Sequence, residues 1–192
     1  MTDKYNEPNA GYRVSLKSMG MFAVGFCLLA FPKTAPAAPQ TAGCDLPQDL
    51  HRIIATKYPG KKVVTLSDLQ EDDKGFFQSD HGNSCPGLIK VDFYGDGKPT
   101  LALVLIPNGA TNQNAQLVVA HQVEGTWKVV LLASGGPNVP VVWSLPAGDY
   151  RDVYGRRTIR ATRPVIVFFE YESWGLLYTW TGKAVSKIWI AD

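Results

Sequence analysis

The sequence is poor in the residues that build reactive or metal centres. It has only three cysteines and three histidines among 192 residues. Its longest apolar run, Met19–Phe31, is shorter than the roughly 20 residues that a membrane-spanning helix needs. A G-x-S-x-G nucleophile elbow and the sequence context of a cysteine protease are also missing. These absences disfavour a zinc centre, a helical membrane anchor and the common hydrolase classes.

The first 37 residues have the pattern of a signal peptide. A basic start precedes the apolar run Met19–Phe31, and no twin-arginine pair accompanies it. Small residues at Ala35 and Ala37 fit the −3 and −1 positions of a cleavage site before Ala38. We therefore expect a protein that is periplasmic or secreted after cleavage near Ala37/Ala38.

Two cysteines remain after cleavage, Cys44 and Cys85. An even pair in an oxidising compartment predicts one disulfide bond. Two free thiols are the alternative, and so is a lipoprotein, because TAGC places Cys44 after small residues. We expect residues 38–43 to form a loose N-terminal tail and residues 44–192 to form a single domain.

Cleavage also changes the charge of the chain. Residues 1–37 contain four of the 19 basic and two of the 17 acidic side chains, so the mature chain keeps 15 of each sign. A formally neutral domain has no overall field to attract nucleic acid. We therefore expect no nucleic-acid partner and, after signal cleavage, no membrane partner.

The hydrophobic pattern predicts an α+β fold, with an N-terminal helix packed on a largely antiparallel, multi-stranded sheet. The helix is indicated by an apolar stripe, and YPG at 58–60 marks its end. Period-two or continuous apolar segments indicate strands, and the runs LALVLI and VIVFF are typical of central strands buried on both faces. The stripe consists of Leu46, Leu50, Ile53, Ile54 and Tyr58, and the strands are predicted at 62–66, 75–78, 87–93, 100–106, 116–123, 127–132, 157–160, 165–172, 174–180 and 184–190.

The segment VDFYGDGKPTLALVL (91–105) holds an Asp-Gly loop before a strand. It resembles one FG-GAP or VCBS-type repeat, whose loop follows D-x-[DN]-x-D-G and binds calcium. By that resemblance Asp92 and Asp96 match the first and third ligands. Tyr94 and Thr100 stand where further ligands would be, which leaves too few carboxylates for the six to eight oxygens that calcium takes.

Two interpretations of this loop follow. Gly95 and Gly97 can supply a tight turn while the aspartates cap backbone amides, which makes the loop a structural turn. Alternatively the loop binds calcium weakly through Asp92 and Asp96, and no other cofactor is expected. The mature chain also resembles small exported bacterial proteins that carry such a loop, which implies an envelope location and no particular activity.

The second candidate site is an arginine-rich segment, 149–163, which holds five of the six arginines of the mature chain. The planar guanidinium group suits carboxylates, phosphates and aromatic faces, and arginine and tyrosine are common in binding surfaces. The alternative is a solvated hairpin in which Asp149 and Asp152 pair with the arginines. The predicted ligand-binding residues are Tyr150, Arg151, Tyr154, Arg156, Arg160 and Arg163.

These observations favour a non-enzymatic binding protein of the envelope or exterior, which contacts a protein or an acidic ligand through segment 149–163. No catalytic residues are predicted. One alternative is an envelope hydrolase that uses Asp92, Asp96, His81 or Glu170, and it would require two of those acids within hydrogen-bond reach of His81. The other alternative is a purely structural, calcium-stabilised module.

Overall fold

The computed structural model describes residues 43–109 and 114–191. The predicted signal peptide lies outside these residues, and so does the predicted tail apart from Gly43. The described part has two α-helices and eleven strands, and their arrangement confirms the α+β class. In chain order the elements are α1 (Gln48–Lys57), β1 (Lys61–Val63), α2 (Glu71–His81), β2 (Leu88–Val91), β3 (Thr100–Pro107), β4 (Gln116–Val123), β5 (Thr126–Ser134), β6 (Val141–Leu145), β7 (Gly148–Arg151), β8 (Thr158–Ala161), β9 (Val165–Glu170), β10 (Trp174–Trp180) and β11 (Val185–Ala191).

The predicted strand at 75–78 is wrong, because these residues lie inside helix α2. Three acidic residues in the first turn complement the positive end of the helix dipole, and Gly82 ends the helix with a φ of 62°. The pair Phe76–Phe77 looks like part of a strand in isolation, but only Phe77 is buried. The start and stop signals around the segment therefore outweigh the local pattern.

The strands form two sheets and a hairpin, and every pairing is antiparallel. In the first sheet β3, β4 and β5 are neighbours, and β1 and β2 both pair with the other edge of β3. The second sheet has the order β11-β10-β9-β6, and β7 pairs with β8 alone. The central strands β3 and β9 are the two continuous apolar runs, so the prediction that they are buried on both faces is confirmed.

Alternate residues of the central strands define four layers. Leu103 of β3 packs with Leu50 of α1, whereas its neighbour Val104 packs with Phe168 of β9 between the two sheets. On the other face of the second sheet, Val167 packs with Ala161 of the β7–β8 hairpin. The order of layers is therefore α1, first sheet, second sheet and hairpin, with α2 contributing Phe77 to the core between the sheets.

The predicted disulfide is confirmed, with Cα atoms of Cys44 and Cys85 5.2 Å apart. The sulfur of Cys44 is thus bonded to another cysteine and is not available to a lipid. Beside the disulfide, the backbone of Val104 in β3 accepts a hydrogen bond from Val64 N at 3.0 Å and donates one to Gly87 O at 2.9 Å. The segments that carry β1 and β2 therefore meet at the middle of β3 and make one composite edge.

Strands β6 and β7 lie within residues 133–156, a Gly- and Pro-rich stretch in which the sequence predicts no strand. Pro140 and Pro146 bracket β6, and the residues of β7 are mostly polar. β6 nevertheless pairs along its whole length with β9, and Val142 N donates to Pro86 O at 2.8 Å. Strand β7 pairs with β8, and their apolar side chains pack on the second sheet. Most of the arginine-rich segment is therefore an ordered hairpin.

Candidate functional site

The Asp-Gly loop is held by a chain of side-chain hydrogen bonds. Asp96 Oδ1 accepts the backbone N–H of Lys98 at 3.1 Å, and Asp96 Oδ2 lies 3.1 Å from His121 Nε2. His121 Nδ1 in turn lies 3.1 Å from Thr100 Oγ1. Desolvation opposes ionisation of Asp96, but the Lys98 amide and the adjacent His121 outweigh it and hold the pKa of Asp96 below its usual range.

The hydrogen-bonded series Asp96–His121–Thr100 has the residue types of a catalytic triad, but their order does not suit nucleophilic attack. A nucleophile must be presented to the substrate, with the base and the carboxylate behind it. Here the hydroxyl of Thr100 is fully buried, and the carboxylate of Asp96 is the exposed end of the chain. The role of these hydrogen bonds is structural, because they attach the Asp-Gly loop to Thr100 of β3 and His121 of β4.

The two aspartates of the calcium prediction have different surroundings. Asp96 is occupied by His121 and Lys98, whereas Asp92 Oδ1 is buried and has no hydrogen-bond partner among the described residues. Lys90 and Lys98 line the depression beside Asp92, where they oppose a cation. Within residues 43–109 and 114–191, no group of three or more acidic, histidine or cysteine side chains could hold a metal ion.

The Asp-Gly loop also contacts the arginine-rich segment. Arg163 Nη1 donates a hydrogen bond to the backbone carbonyl of Tyr94. A β-carbon placed on Gly95 would overlap the Nε and Cδ atoms of Arg163, so glycine is required both for this contact and for its φ of 67°. The ring of Tyr94 packs on His121 with centroids 4.5 Å apart. Arg163 therefore has a structural role and does not line the predicted ligand-binding surface.

Two other arginines of segment 149–163 stabilise the hairpin. Arg151 donates to the carbonyl of Gly155, at 3.0 Å from Nη2, and so closes the loop between β7 and β8. Arg157, which is not among the predicted ligand-binding residues, donates from Nη2 to Ser186 Oγ at 2.9 Å and so fastens the loop to β11. The hydroxyl of Tyr150 donates to Pro146 O at 2.5 Å, and its ring packs against the apolar cluster beneath the hairpin.

The remaining predicted residues face solvent. The guanidinium of Arg156 lies over the ring of Tyr154, 5.6 Å from its centroid, and the side chain of Tyr154 is 54% exposed. Arg160 Nε lies 3.5 Å from Asp149 Oδ1, in an ion pair whose arginine is 84% exposed and which is therefore weak. The structure thus combines the two sequence interpretations, because part of the segment is locally paired and part of it is an open basic surface.

The structure adds residues that the sequence did not single out for this surface. Val153 and Trp189 are exposed, the latter at 43%, and Val153 N donates to Trp189 O at 2.9 Å. The hairpin loop is thereby joined to the edge of β11. We refer to Val153, Tyr154, Arg156, Arg160 and Trp189 as the hairpin patch. Lys187 and Trp189 are both exposed in β11. They share a strand face because they are two positions apart, so the lysine was the available sequence signal that Trp189 faces outward.

The arrangement that a hydrolase would require is not found around His81. Its ring packs against Phe77 at 4.8 Å and Trp143 at 4.9 Å between centroids. Burial lowers the pKa of His81, with a smaller opposing effect from Asp80. Asp96 pairs with His121 instead, and Glu170 accepts a hydrogen bond from Asn138.

Comparison with known protein families, with characterised proteins and with solved structures finds no match to this chain. Across the two described ranges, neither helix has both the length and the apolar character needed to cross a membrane.

Proposed function

We propose that residues 38–192 act as an exported, non-enzymatic binding protein, and that the hairpin patch binds an acidic segment of a partner protein. The observation that carries this proposal is the arginine of the patch lying over an exposed tyrosine, 5.6 Å from the ring centroid. Arginine, tyrosine and tryptophan are the residues that most often dominate binding energy at protein interfaces.

The charge of the surface supports an acidic partner. Arg156 and Arg160 are exposed, and Lys187 is exposed on the adjacent strand. Asp149 makes only a loose contact with Arg160, while Asp152 Oδ1 accepts the backbone N–H groups of Arg156 and Arg157. A carboxylate from a partner can therefore pair with Arg156 without displacing a side-chain ion pair. Val153 and Trp189 offer apolar area beside the charge.

The base of the patch is held in place before any partner arrives. Arg151 closes the hairpin loop, Arg157 ties it to Ser186, and Val153 N bonds to Trp189 O. Binding to a pre-organised surface avoids part of the entropy cost of ordering loops and side chains. The local pairing of these residues therefore supports a binding role for the exposed ones.

Export is part of the same proposal. The Cys44–Cys85 bond is compatible with an oxidising compartment. Expression of residues 1–192 in a bacterial host and mass measurement of the exported product test this step. We expect a mature chain that begins at Ala38 and lacks the two hydrogens of the free thiols. A product that stays in the cytoplasm with residues 1–37 attached would contradict it.

The binding step is tested with a fluorescently labelled peptide of glutamates and one phenylalanine, and with the same peptide carrying glutamine in place of glutamate. We expect fluorescence anisotropy to show binding of the glutamate peptide that weakens as salt rises. Tyr154→Ala and Arg156→Ala should each weaken it by at least about fivefold, or about 1 kcal/mol, a loss that only a minority of interface residues reach.

Arg52→Ala is the matched control, because it removes the same charge from the exposed face of α1 in the opposite outer layer. We expect it to leave the affinity unchanged. Equal binding of the glutamine peptide would refute an acidic partner. An equal loss in Arg52→Ala would show that overall charge, and not the hairpin patch, attracts the peptide.

A further inference from the structure

A second charged surface lies where α2 meets the turn between β9 and β10. The ring of Phe76 in α2 stacks on Tyr171 and brings the two elements together. Burial raises the pKa of Asp73, and the negative charges of Glu172, Asp72 and Glu170 raise it further. The basic side chain of this helix, Lys74, pairs with Glu71 at 3.6 Å. The surface therefore concentrates negative charge on a chain that is formally neutral once residues 1–37 are removed.

Glu170 is the unusual member of this group, because it is only 1% exposed. Its Oε1 accepts a hydrogen bond from Asn138 Nδ2 at 3.1 Å, but its Oε2 is buried and has no partner among the described residues. A β-carbon placed on Gly136 would lie 2.8 Å from this oxygen. A buried carboxylate with an unused oxygen is costly to maintain unless something compensates its charge.

Aromatic side chains surround the carboxylates. Tyr171 stacks on Phe76 of α2 with centroids 5.8 Å apart, and Phe76 is 48% exposed. The Tyr171 hydroxyl is buried without a partner among the described residues, and Trp174 Nε1 would lie 3.1 Å from the same β-carbon on Gly136. Carboxylates beside aromatic rings favour organic cations, which gain from both the charge and the ring faces.

We propose that this acidic–aromatic site binds an organic cation that carries a primary ammonium or guanidinium group. Glu170 is the buried counter-charge, Asp73 and Glu172 form the rim, and Phe76 and Tyr171 supply the apolar wall. A metal ion fits less well, because no three ligating side chains among the described residues converge on one point. The site consists of residues other than those of the hairpin patch and does not depend on the function proposed for it, although the rings of Trp174 and Trp189 lie 6.5 Å apart between centroids.

The test measures the melting temperature of residues 38–192 in arginine amide and in lysine amide. N-acetylglutamine amide, whose amino group is blocked, is the uncharged probe, and potassium chloride is the control for ionic strength. Because a ligand of the folded state raises its stability, we expect the two cationic amides to raise the midpoint in a concentration-dependent way. N-acetylglutamine amide and potassium chloride should not reproduce this shift.

Glu170→Gln should abolish the shift, and it should also melt above the wild type without ligand because it removes an uncompensated charge. The matched control is Glu124→Gln, the same change in the exposed turn between β4 and β5. If Glu170→Gln does not fold, Asp73→Asn should reduce the shift instead.

Three results would overturn the proposal. One is a wild-type protein that responds no more to arginine amide than to potassium chloride. Another is a full response in Glu170→Gln, or in Asp73→Asn where Glu170→Gln does not fold. The third is a shift produced by calcium chloride alone, which would make the ligand a metal ion.

Discussion

Arg163 donates a hydrogen bond to the backbone carbonyl of Tyr94, and so joins the arginine-rich segment to the Asp-Gly loop. The two residues are 69 positions apart in the chain. Two features that look like separate candidate sites in the sequence are thus one structural unit. The arginine at the end of the segment holds the loop, while the exposed arginines at the hairpin remain available to a partner.

Removal of this arginine should weaken the fold more than removal of an exposed one. Arg163→Ala leaves a partly buried carbonyl without its charged donor, so we expect a loss of about 1–3 kcal/mol in the free energy of unfolding. Arg52→Ala should change it by less than about 0.5 kcal/mol. Urea unfolding followed by circular dichroism measures both variants. Equal stability of the two variants would show that the Arg163 contact contributes nothing.

The two glycines of the Asp-Gly loop offer a matched pair of substitutions. Both have positive φ, 67° at Gly95 and 74° at Gly97, but only Gly95 faces another side chain, that of Arg163. Gly97→Ala should cost about 1–2 kcal/mol for the left-handed backbone alone. Gly95→Ala should cost more, because the new methyl group also displaces Arg163.

A double-mutant cycle separates these two causes. In the Arg163→Ala background the side chain that Gly95→Ala would strike is absent. We therefore expect the remaining cost of Gly95→Ala to fall to that of Gly97→Ala. Additive costs in the cycle would place the strain of Gly95→Ala in the backbone and not in the contact with Arg163.

The disulfide should contribute substantially to stability. The Cys44–Cys85 bond closes a loop across 41 positions, and the loop-entropy relation gives about 4 kcal/mol for that length. The paired Cys44→Ser/Cys85→Ser variant avoids a single reactive thiol. We expect its urea midpoint to fall, with a loss of about 2–4 kcal/mol. An unchanged midpoint would mean that the unfolded chain is not restrained by the bond.

The folded protein should lose stability at strongly alkaline pH. Burial raises the pKa of Tyr178 to about 12, whereas a phenol in an unfolded chain titrates near ~10. Because the folded-state pKa is the higher one, the stabilising contribution is complete below pH ~10 and is lost as the pH rises toward about 12. Urea unfolding across this range, with the ultraviolet absorbance of the phenolate, measures the effect.

Tyr178→Phe should remove part of this alkaline loss. The hydroxyl of Tyr178 is buried and has no partner among the described residues, so its removal should be neutral or stabilising near pH 7. A strongly destabilised Tyr178→Phe variant would show that the hydroxyl has a partner, such as a bound water, in solution.

The sequence predicted best where a signal is local or strongly periodic. Strands β3 and β9 could be placed because continuous apolar runs identify strands buried on both faces. The disulfide followed from an even cysteine count after removal of the signal peptide. Helix α2 was missed because its apolar residues, Phe76 and Phe77, are adjacent and do not repeat at helical spacing.

The candidate sites were harder to predict, because side-chain partners depend on tertiary contacts. Arginine composition identified segment 149–163, but it could not show that Arg163 contacts Tyr94 while Arg156 lies on Tyr154. Glu170 lies within a predicted strand, but its carboxylate packs close to Gly136, which belongs to a distant connection. Such pairings are set by the packing of the two sheets and have no signature along the chain.

The composite edge of β3 has a consequence for the order in which the molecule assembles. Val64 and Gly87 both bond to Val104, and the Cys44–Cys85 bond lies beside this junction. Both cysteines precede β3 in the chain, so the covalent bond can form before that strand is present. In a chain that is oxidised at this stage, the disulfide already holds the segments of β1 and β2 close together. The entropy cost of closing the loop between Cys44 and Cys85 is therefore no longer part of the folding step. Strand β3 can then pair with β1 and β2 while the disulfide holds them together. Refolding with the disulfide intact should therefore be faster than refolding from the reduced chain.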